Sequence, residues 1–238
     1  MSNPVYRRIL LKLSGEVLAG EQGFGINPNR ASILANEIKS VYNLGIDIGV
    51  VIGAGNIFRG INAADRGMDR VTGDYLGMLA TIMNSIAMQD ALEKIGCDTR
   101  TLSAISVNKI TEPYIRRRAI RHLEKNRIVI VAGGTGNPYF STDTAAALRA
   151  TELGAEIVLK GTKVDGVYDK DPVKHREAKR YDKISYKKVM NDDLRVMDMT
   201  AITLCRENLL PIKVFNINNT GDLKQIILGS NIGTLVSE

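Results

Sequence analysis

Residues 128–139 read IVIVAGGTGNPY. Four β-branched apolar residues run into Ala132-Gly133-Gly134-Thr135-Gly136, and Ser141-Thr142-Asp143-Thr144 then opens an alanine-rich segment. A short apolar run of this kind reads as a strand buried on both faces, as in a parallel sheet, and the polar segment reads as a helix start. At such a junction backbone N–H groups lack helix partners, and glycines let an anion come close to them. The stretch therefore predicts a phosphate-binding turn in an α/β protein. Neither common phosphate fingerprint fits it: G-x-x-x-x-G-K-[ST] occurs nowhere, and in G-x-G-x-x-G the last place is taken by Tyr139. A phosphate site must then be assembled from several strand-to-glycine junctions that converge.

The chain supplies them. RILLKL at 8–13 predicts a strand followed by Ser14-Gly15-Glu16. Lys12 interrupts that strand; a buried lysine is costly unless its ammonium meets an anion, the alternative being a side chain that snorkels to water. The Ser-Gly that follows favours the anion. Residues 46–52 (IDIGVVI) predict a second strand, ending in Gly53-Ala54-Gly55-Asn56, with Arg59 suited to bidentate phosphate contact. Residues 157–159 predict a strand that ends in Lys160-Gly161-Thr162, a second lysine at a strand terminus, and KVDGVYDKDP at 163–172 adds a turn and a Pro-terminated acidic pair.

Between these junctions, residues 20–25 (GEQGFG) form a loop too glycine-rich to pack, and Asn27-Pro28 caps a helix that stops at Gly45. Asp74 precedes a long helix reaching Gly96, either as its N-cap or as an acceptor for ribose hydroxyls. The methionines of that helix read as core or subunit interface. A strand at 99–105, a basic helix at 111–125, a helix at 143–152 stopped by Gly154 and a charged surface excursion at 174–183 are expected. So are a helix at 198–208, a strand at 212–215, a helix at 221–228 and a closing strand at 234–236. Alternating strands and helices predict one α/β domain with a mainly parallel sheet and ligands beyond the carboxyl ends of the strands.

The totals agree. The 238 residues are 44% hydrophobic and 24% charged, the range of soluble globular proteins. Cys97 and Cys205, far apart and without metal-ligand spacing, read as reduced thiols. The absence of an apolar leader or span predicts a cytoplasmic protein with no membrane partner. The net charge of +6 admits polyanions, and basic residues concentrate at Arg116, Arg117, Arg118, Arg121, Lys125 and Arg127. That helix reads as a solvated face or as a phosphate or effector site. Nucleic acid is disfavoured, because aromatics are only 5% and none are interleaved to stack bases.

Taken together, KLSG at 12–15, GAGNIFRG at 53–60, GTGNPYFSTD at 134–143 and KGTKVDGVYDKDP at 160–172 closely resemble the uridylate kinase branch of the amino acid kinase family. The likeness runs through VFNINNTGDLKQ and GTLVSE to the end of the chain. It implies a three-layer α/β/α sandwich, assembled as a homohexamer, that transfers the γ-phosphate of MgATP to UMP in pyrimidine nucleotide biosynthesis. It also implies inhibition by UTP and activation by GTP. ATP is implied at Lys12, Leu13, Ser14, Gly15, Gly55, Arg59, Thr162, Tyr168 and Asp171. UMP is implied at Ala54, Asp74, Thr135, Gly136, Asn137, Pro138, Tyr139, Phe140, Ser141 and Thr142. The N-terminal half then serves mainly UMP and subunit contacts, the C-terminal half mainly ATP. GTP is implied at the loop Gly20, Glu21, Gln22, Gly23, Phe24 and Gly25, with Arg100, Arg116 and Arg127. One departure stands out: the family has three consecutive glycines where this chain has Ala54, and alanine there costs about 1 kcal/mol if the backbone is left-handed.

The residues suit that chemistry by themselves. Phosphoryl transfer between two anionic nucleotides needs alignment and charge neutralisation. Lys12 and Lys160 are expected to hold the transferring group from opposite sides, with glycine N–H groups around it. Asp143 is expected to orient the lysines or the hydration shell of a Mg²⁺ carried by ATP, and Asp198 is the second candidate. Rival readings keep the fold with another acceptor, such as CMP or a small carboxylate, or make the chain a nucleotide-binding regulator without turnover.

Overall fold

The computed structural model describes residues 3–58, 67–172, 174–175, 177–194 and 196–238. In chain order the strands are β1 (Arg8–Leu13), β2 (Asp47–Ile52), β3 (Thr99–Ser103), β4 (Glu112–Pro113), β5 (Ile128–Ala132) and β6 (Ile157–Thr162), followed by β7 (Val167–Tyr168), β8 (Arg180–Tyr181), β9 (Lys183–Ser185), β10 (Ile212–Asn216) and β11 (Thr234–Ser237). The α-helices are α1 (Pro28–Tyr42), α2 (Arg70–Lys94), α3 (Arg116–Leu123), α4 (Thr142–Leu153), α5 (Tyr186–Asn191), α6 (Met199–Glu207) and α7 (Asp222–Ile227). Among the described residues nine strands form one sheet in the order β4-β3-β5-β2-β1-β6-β10-β11-β9, and β7 pairs with β8 apart from it. Strands β4 through β10 of that order are parallel, and β11 turns antiparallel against β10.

Side-chain alternation divides the core into two layers. Ile9, Leu11 and Leu13 of β1 pack with Leu34, Ile38, Met88 and Leu223, against α1, α2 and α7. Leu10, Val51 and Val158 point the other way, to Ala146, Ala150, Leu123 and Ile202 of α4, α3 and α6. The result is a three-layer α/β/α sandwich with a mainly parallel central sheet, as expected from the buried runs and their spacing. On β1 and β6 the residues that share the α4 face with Leu10 and Val158 are Lys12 and Lys160.

Local chemistry sets the helix ends. The Asn27 side chain accepts from Asn29 N and Arg30 N, with Pro28 in the first turn where a missing N–H costs nothing. Ser141 caps α4 through Asp143 N and Thr144 N, and Gly154, at φ 68°, ends it.

Four expectations change. Helix α2 begins at Arg70 with Asp69 as its cap, so Asp74 lies one turn inside and caps nothing. The basic helix is shorter than 111–125, because Glu112–Pro113 pairs with Leu102 and Ser103 as an edge strand, a place where proline's missing donor is harmless. Lys160 sits within β6 rather than after it. The charged excursion at 174–183 ends in β8 and β9, and β9 extends the sheet beside β11.

Candidate active site

Lys12 and Lys160 are register partners on the adjacent strands β1 and β6. They stand side by side on one face, because pairing in a parallel ladder puts equal levels on the same side. Between them comes Asp143 from the first turn of α4. Lys12 Nζ lies 2.7 Å from Asp143 Oδ1 and Lys160 Nζ 2.8 Å from Oδ2. Lys160 also donates to the Val196 carbonyl. Burial alone would push the Asp143 carboxyl up, but the two lysine charges outweigh it and hold the group below its ordinary range. Burial, with the Lys12 charge beside it, pulls Lys160 below its ordinary value of 10.5 against the attraction of Asp143. Asp198 plays another part. It caps α6 through Ala201 N and accepts from Thr144 Oγ1 at 2.9 Å and from Ser141 Oγ, which ties the start of α4 to α6.

The glycine junctions meet beside this triad. A Cβ on Gly15 would come 2.4 Å from Asn56 Oδ1, 2.5 Å from the Gly53 carbonyl and 2.9 Å from Gly55 N, so backbone crowding demands glycine there. Asn56 and Asn84, both buried, donate to each other's side-chain oxygens at 2.9 and 2.8 Å. Their remaining donors reach the carbonyls of Gly25 and Gly53. This closed amide pair fixes the junction at residues 53–56 to α2 and to the loop at 20–25. Among the described residues the left-handed non-glycine positions are Asn126, Tyr139, Asp193 and Leu209, so Ala54 carries no such strain. In the 133–136 turn, by contrast, Gly133, Gly134 and Gly136 have φ of 76°, 61° and 86°.

Two clefts open at the carboxyl ends of the strands. One, of about 740 Å³, is lined by Lys12, Ser14, Lys160, Thr162, Tyr168 and Asp171. The other, of about 520 Å³, is lined by Ala54, Gly55, Asp74, Thr135, Tyr139, Phe140, Ser141 and Thr142. Asp74 accepts from Tyr139 N at 2.8 Å, and Arg70 Nε reaches its carboxylate at 2.9 Å, so α2 holds the loop that returns to α4. Tyr139 keeps φ 70° in that arrangement, a strained angle that its neighbours enforce.

The sequence-predicted residues therefore fall into distinct places. Gly55, expected with ATP, lines the smaller cleft. Leu13 is buried in the core, and the buried Gly15 contributes its backbone to the junction. Gly136 and Pro138 line neither cleft, and Asn137 lines a neighbouring apolar depression with Phe140 and Met199. Arg59 lies outside the described residues. Arg100 starts at the amino end of β3, where it donates to the Thr99 carbonyl, and Arg127, just before β5, meets His122 Nδ1. The loop at 20–25 stands at the opposite end of the strands, and Arg116 donates to the Glu152 carbonyl, so these residues do not form one cluster within the chain. Sequence reading missed Arg70, although its i,i+4 spacing to Asp74 announces a shared helix face. It also missed the Asn56–Asn84 pair and Arg149, whose partners are distant in sequence.

A nucleotide-sized cleft lined by a pair of buried ammonium groups, with a second cleft open at the same edge of the sheet, defines an enzyme class: this is a phosphotransferase. The chain belongs to the amino acid kinase family, whose model matches residues 7–216. Its fold is that of a UMP kinase from Bacillus anthracis, at 41% identity and TM-score 0.95 over 98% of this chain and 96% of that one. A UMP kinase from Ureaplasma parvum matches at 35% identity and TM-score 0.92 over all of both chains. A uridylate kinase from Archaeoglobus fulgidus matches at 26% identity and TM-score 0.72, over 96% of this chain and 99% of that one.

Proposed function

We propose that the protein is a UMP kinase, transferring the γ-phosphate of ATP to UMP to give UDP and ADP, in pyrimidine nucleotide biosynthesis. The observation that carries this reading is the Lys12–Asp143–Lys160 triad, whose lysines line the larger cleft, with the smaller cleft opening along the start of α4, the helix that carries Asp143. ATP is assigned to the larger cleft, built mostly from the C-terminal half, and UMP to the smaller, to which both halves contribute equally. Support for UMP as the acceptor comes from the bacterial UMP kinases that the chain matches over nearly its whole length.

An ionised oxygen of the UMP phosphate attacks the γ-phosphorus, and the bond from that phosphorus to the β,γ-bridging oxygen breaks, leaving ADP. The nucleophile is already an anion, so no general base is required. Lys12 and Lys160 neutralise charge on the oxygens in flight, and Asp143 aims both ammonium groups. Of the glycine N–H groups in the flanking turns, those of Gly53, Gly133 and Gly136 are already bonded to Leu13 O, Thr81 Oγ1 and Gly133 O. A Mg²⁺ brought by ATP would be held by phosphate and water and would supply charge that screens the phosphates. Asp143, which already faces both lysines, would meet that cation only through its hydration shell.

The same reading makes the protein a homohexamer, activated by GTP and inhibited by UTP. The arginine-rich α3 region and the loop at 20–25 become an effector site only if neighbouring subunits bring them together. No helix among the described residues is long and apolar enough to cross a membrane.

³¹P NMR of the protein with MgATP and, separately, UMP, CMP, GMP and carbamate tests the assignment. UDP and ADP are expected in the UMP tube alone. Turnover of another acceptor instead, or of none with GTP present or absent, would refute it.

The lysine electrostatics add a pH signature. Lys160 acts as a cation, and its folded pKa is lowered, so its protonated form is lost as pH rises through a value below 10.5. The free-enzyme profile of kcat/KM is therefore expected to fall on its basic side before an ordinary lysine would titrate. Lys160→Arg, which stays charged, should remove that limb. An identical limb in the arginine variant would assign it elsewhere.

A further inference from the structure

We propose that Arg149 is a positioning residue for the acceptor: a buried guanidinium on α4 that braces the glycine turn forming one wall of the UMP cleft. This rests on the assignment of that cleft to UMP. Arg149 is only 5% exposed. Its NH2 group donates to the carbonyls of Gly134 and Thr135 at 3.2 and 3.3 Å, and NH1 donates to Glu152 Oε2 at 2.7 Å. The guanidinium carbon stands 4.1 Å from the centre of the Tyr114 ring, and the Tyr114 hydroxyl donates to the same Glu152 oxygen at 2.6 Å. The planar cation is thus clamped by a ring on one side and a carboxylate at its edge, with its free fork aimed at two successive carbonyls.

Those carbonyls belong to a turn whose other outside anchors act on its ends, Gly133 N donating to Thr81 Oγ1 and Tyr139 N to Asp74. Gly134 and Gly136 are left-handed, and a Cβ built on Gly134 would meet only Met78 Cγ, at 3.9 Å. Gly134 and Thr135 both line the acceptor cleft. Glycines give the turn the freedom to expose its N–H groups, and the same freedom would let it wander. Holding the carbonyl side from behind fixes the direction of the N–H and side-chain groups in front. Lysine cannot reproduce this, because a single ammonium cannot stack on the ring while forking to two carbonyls and a carboxylate.

The brace also has a far end. Tyr114 follows β4 and precedes α3, and Arg116 donates to the Glu152 carbonyl. Displacement of the arginine-rich α3 region would therefore move Glu152 and Tyr114, and with them the acceptor wall, without touching the lysines.

Wild type, R149K and Y114F are compared by kinetics in UMP and in ATP, by thermal melting, and by hydrogen–deuterium exchange of the 133–141 segment. R149K is expected to raise KM for UMP about tenfold, the scale of losing charge-assisted hydrogen bonds, with kcat and KM for ATP within about twofold. Exchange should quicken in 133–141 and not in β1 or β6. Y114F keeps the ring and loses the hydroxyl, so it should give the same pattern at smaller size, and it carries the test if R149K does not fold. Equal rises in both KM values, or unchanged exchange of 133–141 in the variants, overturns the proposal. If wild type does not phosphorylate UMP, the functional reading fails, and exchange of 133–141 alone decides whether Arg149 braces the turn.

Discussion

Alanine at Lys160, or at Lys12, is expected to lower kcat by roughly 10²–10³, the effect of removing one preorganised transition-state donor. The geometry makes this a test of chemistry rather than of folding. In the triad each ammonium group lies within 2.8 Å of a different oxygen of the Asp143 carboxylate. Taking away one lysine leaves a balanced ion pair, whereas taking away Asp143 would leave two buried cations facing each other. The lysine variants should therefore melt near the wild-type temperature while turnover collapses. KM for UMP should change less than kcat, because the smaller cleft has walls of its own. Near-normal turnover in either folded variant would exclude that lysine from the reaction.

Gly15→Ala is expected to cost roughly 10²-fold or more in kcat/KM, the scale of misplacing reacting groups by about 1 Å. The added methyl would meet Gly53 O and Gly55 N, both backbone atoms, and Asn56 Oδ1. None is the loose end of a flexible side chain. Relief requires moving the junction away from β1 or opening the Asn56–Asn84 pair, and either change shifts the wall that Ala54 and Gly55 give the smaller cleft relative to Lys12. Overpacking of this kind also destabilises by about 1–3 kcal/mol, so a lowered melting temperature should accompany the lost activity. Wild-type kcat/KM in the purified variant would show that the close approach at residue 15 is dispensable.

The strands were legible because their signal is local. Runs such as RILLKL and IVIVA carry no polar residue that a two-sided sheet cannot accommodate, and Asn27-Pro28 and Ser141 announce helix starts within a turn. The glycine junctions were legible for the same reason, and they indicated where anions bind. What remained hidden depends on partners far along the chain. Lys12 and Lys160 each suggested a strand-end cation, but their standing side by side is a statement about register, which neither strand contains alone. Asp74 resembled a cap because Asp69, five residues earlier, has the same chemistry. Glu112–Pro113 is too short to show any alternation and reads as the start of the helix behind it. Arg149 looks like an ordinary surface charge on an alanine-rich helix until Tyr114 and the 134–135 carbonyls close around it. Asp143 and Asp198 are alike in sequence and were separated only by what each touches.

The pairing of Lys12 with Lys160 makes the sheet a ruler for the chemistry. These strands are covalently distant, and the loops between them are free to lengthen or shorten without altering the spacing of the ammonium groups. A residue gained or lost inside β1 or β6 is a different matter, since the side-chain period of two would carry its lysine to the α1 face. Variation in chain length among such proteins is thereby confined to the connections, while the reacting centre is copied from one ladder of backbone hydrogen bonds.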